Sequence, residues 1–252
     1  MVEPSPRARI GTSGWDYPDW RGPVYPRELA RRDWFGHYAG RFDTVELNST
    51  FYRLPDPETV RQWRLRAPAG FRYAVKMSRY GTHRKHLREP ASWVGTFVDR
   101  IGGLGDALGP VLVQLPPRWH ADPGRLDAFL SAAPRRLRWA VEVRDPSWLG
   151  PDVYRVLERH GAALCVHDLL ADHPRVMTAD FAYLRFHGPD PSAPYEGSYS
   201  PQALSGAARR IRRHLAEGRD VYAYFDNDHG GAAVSDAERL RRYLGPAAPG
   251  RV

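Results

Sequence analysis

The chain has 252 residues, 42% hydrophobic and 12% aromatic, enough for one large core without requiring two. No run approaches the roughly 20 apolar residues of a membrane span, and the opening MVEPSPRARI lacks the apolar core of a signal peptide, so a cytoplasmic protein with no membrane partner is expected. Net charge is +8, with 37 basic side chains (only Lys76 and Lys85 are lysines) against 29 acids, an excess that suits an anionic small molecule or nucleic acid.

Eight short apolar runs, each closed by a polar or glycine-containing turn, read as strands buried on both faces. The first two are ARIGTS (8–13) and TVELNS (44–49). A helix follows over Pro57–Arg66, with proline and glutamate in its first turn and Val60, Trp63 and Leu65 on or near one face. After FRYAVKMS (71–78), Pro90–Leu108 has near-helical apolar spacing weakened by glycines. PVLVQLPP (110–117), a helix over Asp122–Ala132, RWAVEVRD (138–145), a helix over Pro151–His160 and ALCVHD (163–168) continue the alternation. The connection 168–180 is too short for a long helix and predicts an irregular crossover. FAYLRFHG (181–188) leads to a helix over Pro201–Glu217, whose stripe is Leu204, Ala208, Ile211 and Leu215. DVYAYFDN (220–227) and a helix over Asp236–Leu244 close the series.

Strands alternating with helices imply parallel pairing and right-handed crossovers. Eight such units predict an α/β fold, a single-domain TIM (β/α)8 barrel over residues 7–246 with flexible termini at 1–6 and 247–252. An open doubly wound sheet would need a glycine-rich phosphate loop after an early strand, and GTSGW matches that fingerprint poorly.

Residues two apart share a face of a strand, and in a barrel one face meets the helices and the other the interior. Val45 and Leu47 suit the helix side, which turns Thr44, Glu46 and Asn48 inward. The same parity turns in Lys76, Gln114, Glu142 with Arg144, and Tyr183 with Arg185 and His187; Cys165 with His167 shares the sixth strand's inner face. On the eighth strand Tyr222, Tyr224 and Asp226 are assigned inward, although Ala223, Phe225 and Asn227 fit nearly as well. Buried unpaired, these charges would each cost several kcal/mol, so they pair with one another, bind water or face a ligand.

An internal ion-pair network is one outcome; a ligand site at the C-terminal mouth is the other. For the second, Glu46, Glu142 and His187 are the candidate catalytic groups. Trp15, Asn48, Lys76, Gln114, Arg144, Arg185, Asp226 and Asn227 are the candidate substrate-binding groups. The loop 78–89 adds His83, Arg84, Lys85, His86 and Arg88, and the glycines of HGGAA after the eighth strand offer backbone donors to a phosphate. A single divalent metal drawn from Glu46, Glu142, His167, Asp168, His187 and Asp226 is entertained without a supporting HExxH or CxxC spacing. Cys165, alone in an apolar run, reads as a small buried hydrophobe.

The motifs GTSGWDYPDWRGPVYP, VELNSTFYRLP, LVQLPP, VEVRDPSW, YLRFHG and YAYFDNDHGGAA stand in this order over almost the whole chain. In them the sequence resembles the YecE-like family, a domain of unknown function (DUF72) with a TIM-barrel fold. The family's barrels look similar in shape to those of endonuclease IV and the sugar isomerases, but the inward set here is richer in Arg, Lys and amides than a multi-metal site requires. Three functions follow as expectations. The first is an enzyme that binds a phosphate-bearing substrate (nucleic acid, nucleotide or sugar phosphate), with a hydrolytic reaction. The second is a non-catalytic binder of single-stranded nucleic acid, and the third a carbohydrate isomerase or glycosidase.

Overall fold

The computed structural model describes residues 5–170 and 172–245. Of the expected flexible termini, 1–4 and 247–252 lie outside the described residues. All eight apolar runs form strands: β1 Ala8–Thr12, β2 Thr44–Leu47, β3 Arg72–Lys76, β4 Leu108–Gln114, β5 Trp139–Glu142, β6 Ala163–His167, β7 Phe181–Phe186 and β8 Asp220–Phe225. Seven parallel ladders run in the order β1-β8-β7-β6-β5-β4-β3-β2. A parallel bridge between Ser13 and Glu46 and a 2.8 Å hydrogen bond from Gly14 N to the Glu46 carbonyl bring the first and last strands together. The fold is a TIM barrel.

The helices are α1 Trp34–Ala39, α2 Ser49–Tyr52, α3 Pro57–Arg66, α4 Val94–Gly102, α5 Pro123–Ala132, α6 Pro151–His160, α7 Pro201–Ala216 and α8 Ala232–Leu244. The best-bounded ones carry explicit start signals. Proline opens α3, α5 and α7, and the preceding Asp56, Asp122 and Ser200 side chains accept from Thr59, Arg125 and Ala203 backbone N–H groups. The sequence reading did not include α1 or α2; both lack a side-chain cap, and each is under two turns long. Helix α8 begins four residues before the expected Asp236 because Gly231, at φ 82°, turns the chain straight into it. No described residue between β6 and β7 is helical, as expected for the irregular crossover. Among the described residues no helix is long and apolar enough to cross a membrane.

Two apolar layers follow from the strand parity. The larger lies between barrel and helices and includes Ile10, Val45, Leu47, Val75, Val113, Val141, Ala223 and Phe225. The smaller fills the barrel floor with Ala74, Leu112, Ala140, Cys165, Phe181, Tyr183, Tyr222 and Tyr224. The open choice on β8 therefore falls to Tyr222 and Tyr224 inside. Cys165 is fully buried in the floor, and burial pushes its thiol up, leaving it un-ionised.

The β1/β2 seam depends on a residue without a side chain. A Cβ at Gly11 would lie far inside van der Waals contact with the Thr44 carbonyl, which is rigid backbone, and close to the Tyr38 hydroxyl. Gly11→Ala is expected to cost about 1–3 kcal/mol, as overpacking does. A urea midpoint equal to that of the wild type would contradict this account of the seam.

Candidate functional site

Above the tyrosine floor, polar side chains from β1, β2, β5, β7 and β8 converge on Arg185. Its guanidinium is 1% exposed. Nη2 donates to Glu46 Oε1 and Asp226 Oδ2, both at 2.8 Å, and Nη1 donates to Glu142 Oε2 at 2.7 Å and to His187 Nε2 at 2.8 Å. Glu46 also accepts from the Ser13 hydroxyl and, at 2.6 Å, from Tyr183. Ser13 Oγ in turn accepts from Arg185 Nη2 at 3.0 Å and Asn48 Nδ2 at 2.8 Å. One guanidinium fork thus ties three carboxylates from three strands, a geometry that a lysine's single ammonium cannot reproduce.

Electrostatics follow from this packing. Burial would raise the Glu142 carboxyl, but Arg144 and Arg185 outweigh it and hold it well below the ordinary carboxylate range. Asp226 is likewise held low against its burial, chiefly by Arg185. Because Arg185 and Arg144 (3.3 Å) both point N–H groups at His187 Nε2, that nitrogen presents its lone pair. The ring proton therefore sits on Nδ1, which donates to Asp168 Oδ1 at 3.2 Å. Asp168 also accepts from the His187 backbone N–H at 2.9 Å and from the Tyr199 hydroxyl.

The expected site residues divide into four groups. Glu46 and Arg185 are wholly buried beneath the mouth. Glu142, Arg144, His187, Asp226 and Asn48 form the layer above them. Arg144 bonds to Glu142 and is 14% exposed at its side chain. Lys76 and Gln114 also point inward, from adjacent strands, and among the described residues neither side chain takes part in a hydrogen bond or ion pair. The Lys76 ammonium sits 4.5 Å from the Phe51 ring centroid.

Two residues lie elsewhere. Trp15 turns to the helix side and packs edge-on against Phe35 (5.2 Å between centroids) and near Tyr73. Asn227, past the end of β8, points outward; its Nδ2 donates to Asp236 Oδ2 at 2.9 Å and to the Gly197 carbonyl at 2.8 Å. Sequence reasoning also expected the Gly230–Gly231 turn to cradle phosphate. The Gly230 N–H instead donates to Asp19 Oδ2 at 2.8 Å, so the chain's own carboxylate takes that donor. His167, on the inner face of β6, donates from Nε2 to the Val143 carbonyl at 2.7 Å and is pushed down to about 4 by burial. Among the described residues no group of three His, Cys, Asp or Glu side chains is arranged to hold a metal ion. Where Glu46, Glu142 and Asp226 converge, the cation is Arg185.

Three contributors were not among the expected site residues. Ser13 shares the inner face of β1 with Gly11, a parity that Ile10 on the helix side would have disclosed. Tyr183 was read as inward but without a role. Tyr17 donates to the Ser13 carbonyl and lies against Asp228, at the rim of a cleft of ≈ 350 Å³ bordered by Asp19, Tyr195, Glu196 and Asp228. Burial and the nearby Asp226 charge push the Asp228 carboxyl up from 3.8 to about 6. The folded chain then binds more protons than the unfolded chain between those values, so wild-type stability falls as pH rises through that window. Asp228→Asn is expected to remove that part of the decline; parallel melting-temperature profiles for the two proteins between pH 4 and 6 would contradict the assignment.

Comparison with known proteins agrees with the resemblance carried by the motifs. Residues 9–251 match the family described as "Protein of unknown function DUF72". The chain belongs to the DUF72 family. Among its DUF72 relatives, UPF0759 protein YecE of Escherichia coli K12 is 33% identical over 143 residues, 55% of this chain and 49% of YecE, so the chain spans about half the length of that relative. UPF0759 protein YunF of Bacillus subtilis strain 168 is 23% identical over 269 residues, covering 93% of this chain and 94% of YunF. The crystal structure of a DUF72 protein from Thermotoga maritima superposes with a TM-score of 0.85 at 27% identity, covering 94% of this chain and 99% of that one. D-psicose 3-epimerase from Clostridium cellulolyticum has a TM-score of 0.55 at 11% identity over 94% of this chain and 95% of that one, a likeness of fold alone. The DUF72 barrel therefore surrounds an arginine-centred polar cluster whose upper layer opens at the strand C-termini.

Proposed function

We propose that this DUF72 protein is an enzyme whose barrel mouth binds a small phosphate-bearing substrate, a sugar phosphate or nucleotide. The observation that carries this reading is the split between satisfied and unsatisfied groups. The inward carboxylates Glu46, Glu142 and Asp226 are all paired, whereas Lys76 and Gln114 have donors to spare beside Arg144. The mouth is also polarised. Lys76, Arg144 and the π-type turn Tyr80–Arg84 with His83 make one side basic, and Asp19, Glu196 and Asp228 make the other acidic. Burial and the neighbouring Lys76 push His83 down to about 4, so at neutral pH it is uncharged and can accept a hydrogen bond from a hydroxyl.

Such a mouth suits a ligand with an anion at one end and hydroxyls at the other. For a hydrolytic step the general acid is Asp228, a carboxyl at the mouth that is pushed up to about 6. Glu142 is unsuited to that role because its two arginines keep it ionised. A glycosidase using Glu46 with Glu142 is disfavoured for the same reason, and also because Glu46 is sealed under Arg185. Single-strand binding is less favoured because the loop aromatics Trp20, Trp148 and Tyr199, which could otherwise stack bases, are buried in packing.

Calorimetric titration with ribose 5-phosphate tests the reading. The sugar phosphate is expected to bind, more weakly as salt rises, and Arg144→Ala should weaken it by roughly tenfold or more, the loss of one charge-assisted hydrogen bond. Equal binding of ribose and ribose 5-phosphate, or binding of neither, would sink it.

A further inference from the structure

We propose that Lys76 is a covalent nucleophile that forms an imine with an aldehyde or ketone carrying an anionic group. This inference rests on the reading of the mouth as a site for anionic substrates and adds the reacting atom. Four observations carry it. Lys76 ends β3, and its backbone carbonyl is fixed by the Thr50 hydroxyl at 2.7 Å, so the side chain springs from a rigid strand. The amine is half-buried at the mouth yet has no hydrogen-bonding or ion-pairing protein partner among the described residues. The carboxylates near enough to hold it as an ammonium, Asp226, Glu142 and Glu46, are already engaged by Arg185. The Gln114 amide, on the adjacent strand and also unpartnered, offers a donor for the carbonyl oxygen.

The charge balance acts in the same direction. Burial lowers the Lys76 ammonium and Arg185 lowers it further, against opposition from Asp226, Glu142 and Glu46. The Phe51 ring, 4.5 Å from the ammonium, opposes this by favouring the cation. In the reaction the amine lone pair attacks the carbonyl carbon and the C–O π pair moves to oxygen. Nitrogen gives up two protons as the C=N bond forms, and the oxygen leaves as water. Amine and carbonyl become imine and water, with no oxidant, reductant or further reactant.

The second lysine supplies an internal control. Lys85 pairs with Glu89 at 2.7 Å, and that contact raises its ammonium, keeping it protonated. The test incubates the full-length wild-type chain at pH 7 with glycolaldehyde phosphate, reduces with borohydride and locates the resulting secondary amine by peptide mass spectrometry. Lys76 is expected to be labelled at least about tenfold more than Lys85, whose ammonium is held by Glu89. Labelling of Lys85 equal to or above that of Lys76 overturns the proposal, and needs no variant that might misfold. Uncharged glycolaldehyde separates this inference from the reading beneath it. Equal labelling of Lys76 by both aldehydes supports the imine and removes the anion requirement. Binding of ribose 5-phosphate with Lys76 unlabelled overturns the imine alone.

Discussion

Arg185→Met is expected to destabilise the barrel by about 3–5 kcal/mol, the usual consequence of removing one partner from a buried charge cluster. For a chain of this size that corresponds to roughly 10 °C or more in melting temperature. The loss falls unevenly. Glu142 keeps Arg144, and Glu46 keeps Ser13 and Tyr183, but Asp226 loses the one cation hydrogen-bonded to it among the described residues. Its sign can be checked against pH. In the wild type, Glu142 and Asp226 have depressed folded-state values, so their stabilisation is present above the unfolded carboxylate range of about 4 and is lost as pH falls through the folded values. In the variant, Asp226 is buried without its guanidinium, so protonating it relieves the penalty. The gap between the two urea midpoints should therefore narrow in acid; a gap that stays constant or widens below about pH 4 would contradict the cluster's electrostatics.

Lys76→Met is expected to produce the opposite pattern. Removing a partly desolvated ammonium with no ion-pair partner, and filling its volume with an adaptable thioether, should leave the melting temperature unchanged or raise it. Affinity for ribose 5-phosphate should fall about tenfold or more, the share of one charge-assisted donor. Calorimetry and thermal unfolding on the same preparation check both halves. A melting temperature depressed as far as that of Arg185→Met would show Lys76 to be part of the structural cluster, and the ligand reading would lose its main support.

These two side chains also mark how far the sequence could be read. Strand parity turned Lys76, Glu46, Glu142, Arg144 and Arg185 toward one interior, because alternation survives wherever both faces are buried. It could not separate Arg185 from Arg144, which look alike in their motifs. Depth in the barrel separates them: Arg185 lies one layer down among three carboxylates, whereas Arg144, at the end of β5, reaches the rim. Parity also fails once a strand ends. Asn227 continues the β8 pattern on paper, but the chain has already turned, and its amide serves the Asp236 network outside the barrel. Trp15 fails the same way after β1, its ring drawn into the aromatic packing of Phe35. The Gly230–Gly231 turn has the composition of an anion cradle, and only tertiary contact could reveal that Asp19, from the far end of the chain, occupies it.

The account's central claim is that the anion-binding face of the mouth is its basic side, at Arg144 and Lys76. A crystal structure with ribose 5-phosphate bound tests it most directly. Phosphate density within hydrogen-bonding distance of Arg144 or Lys76, with sugar hydroxyls directed toward Asp228, is the predicted result. Phosphate at the Gly230–Gly231 turn in place of Asp19, or outside the barrel altogether, would contradict it.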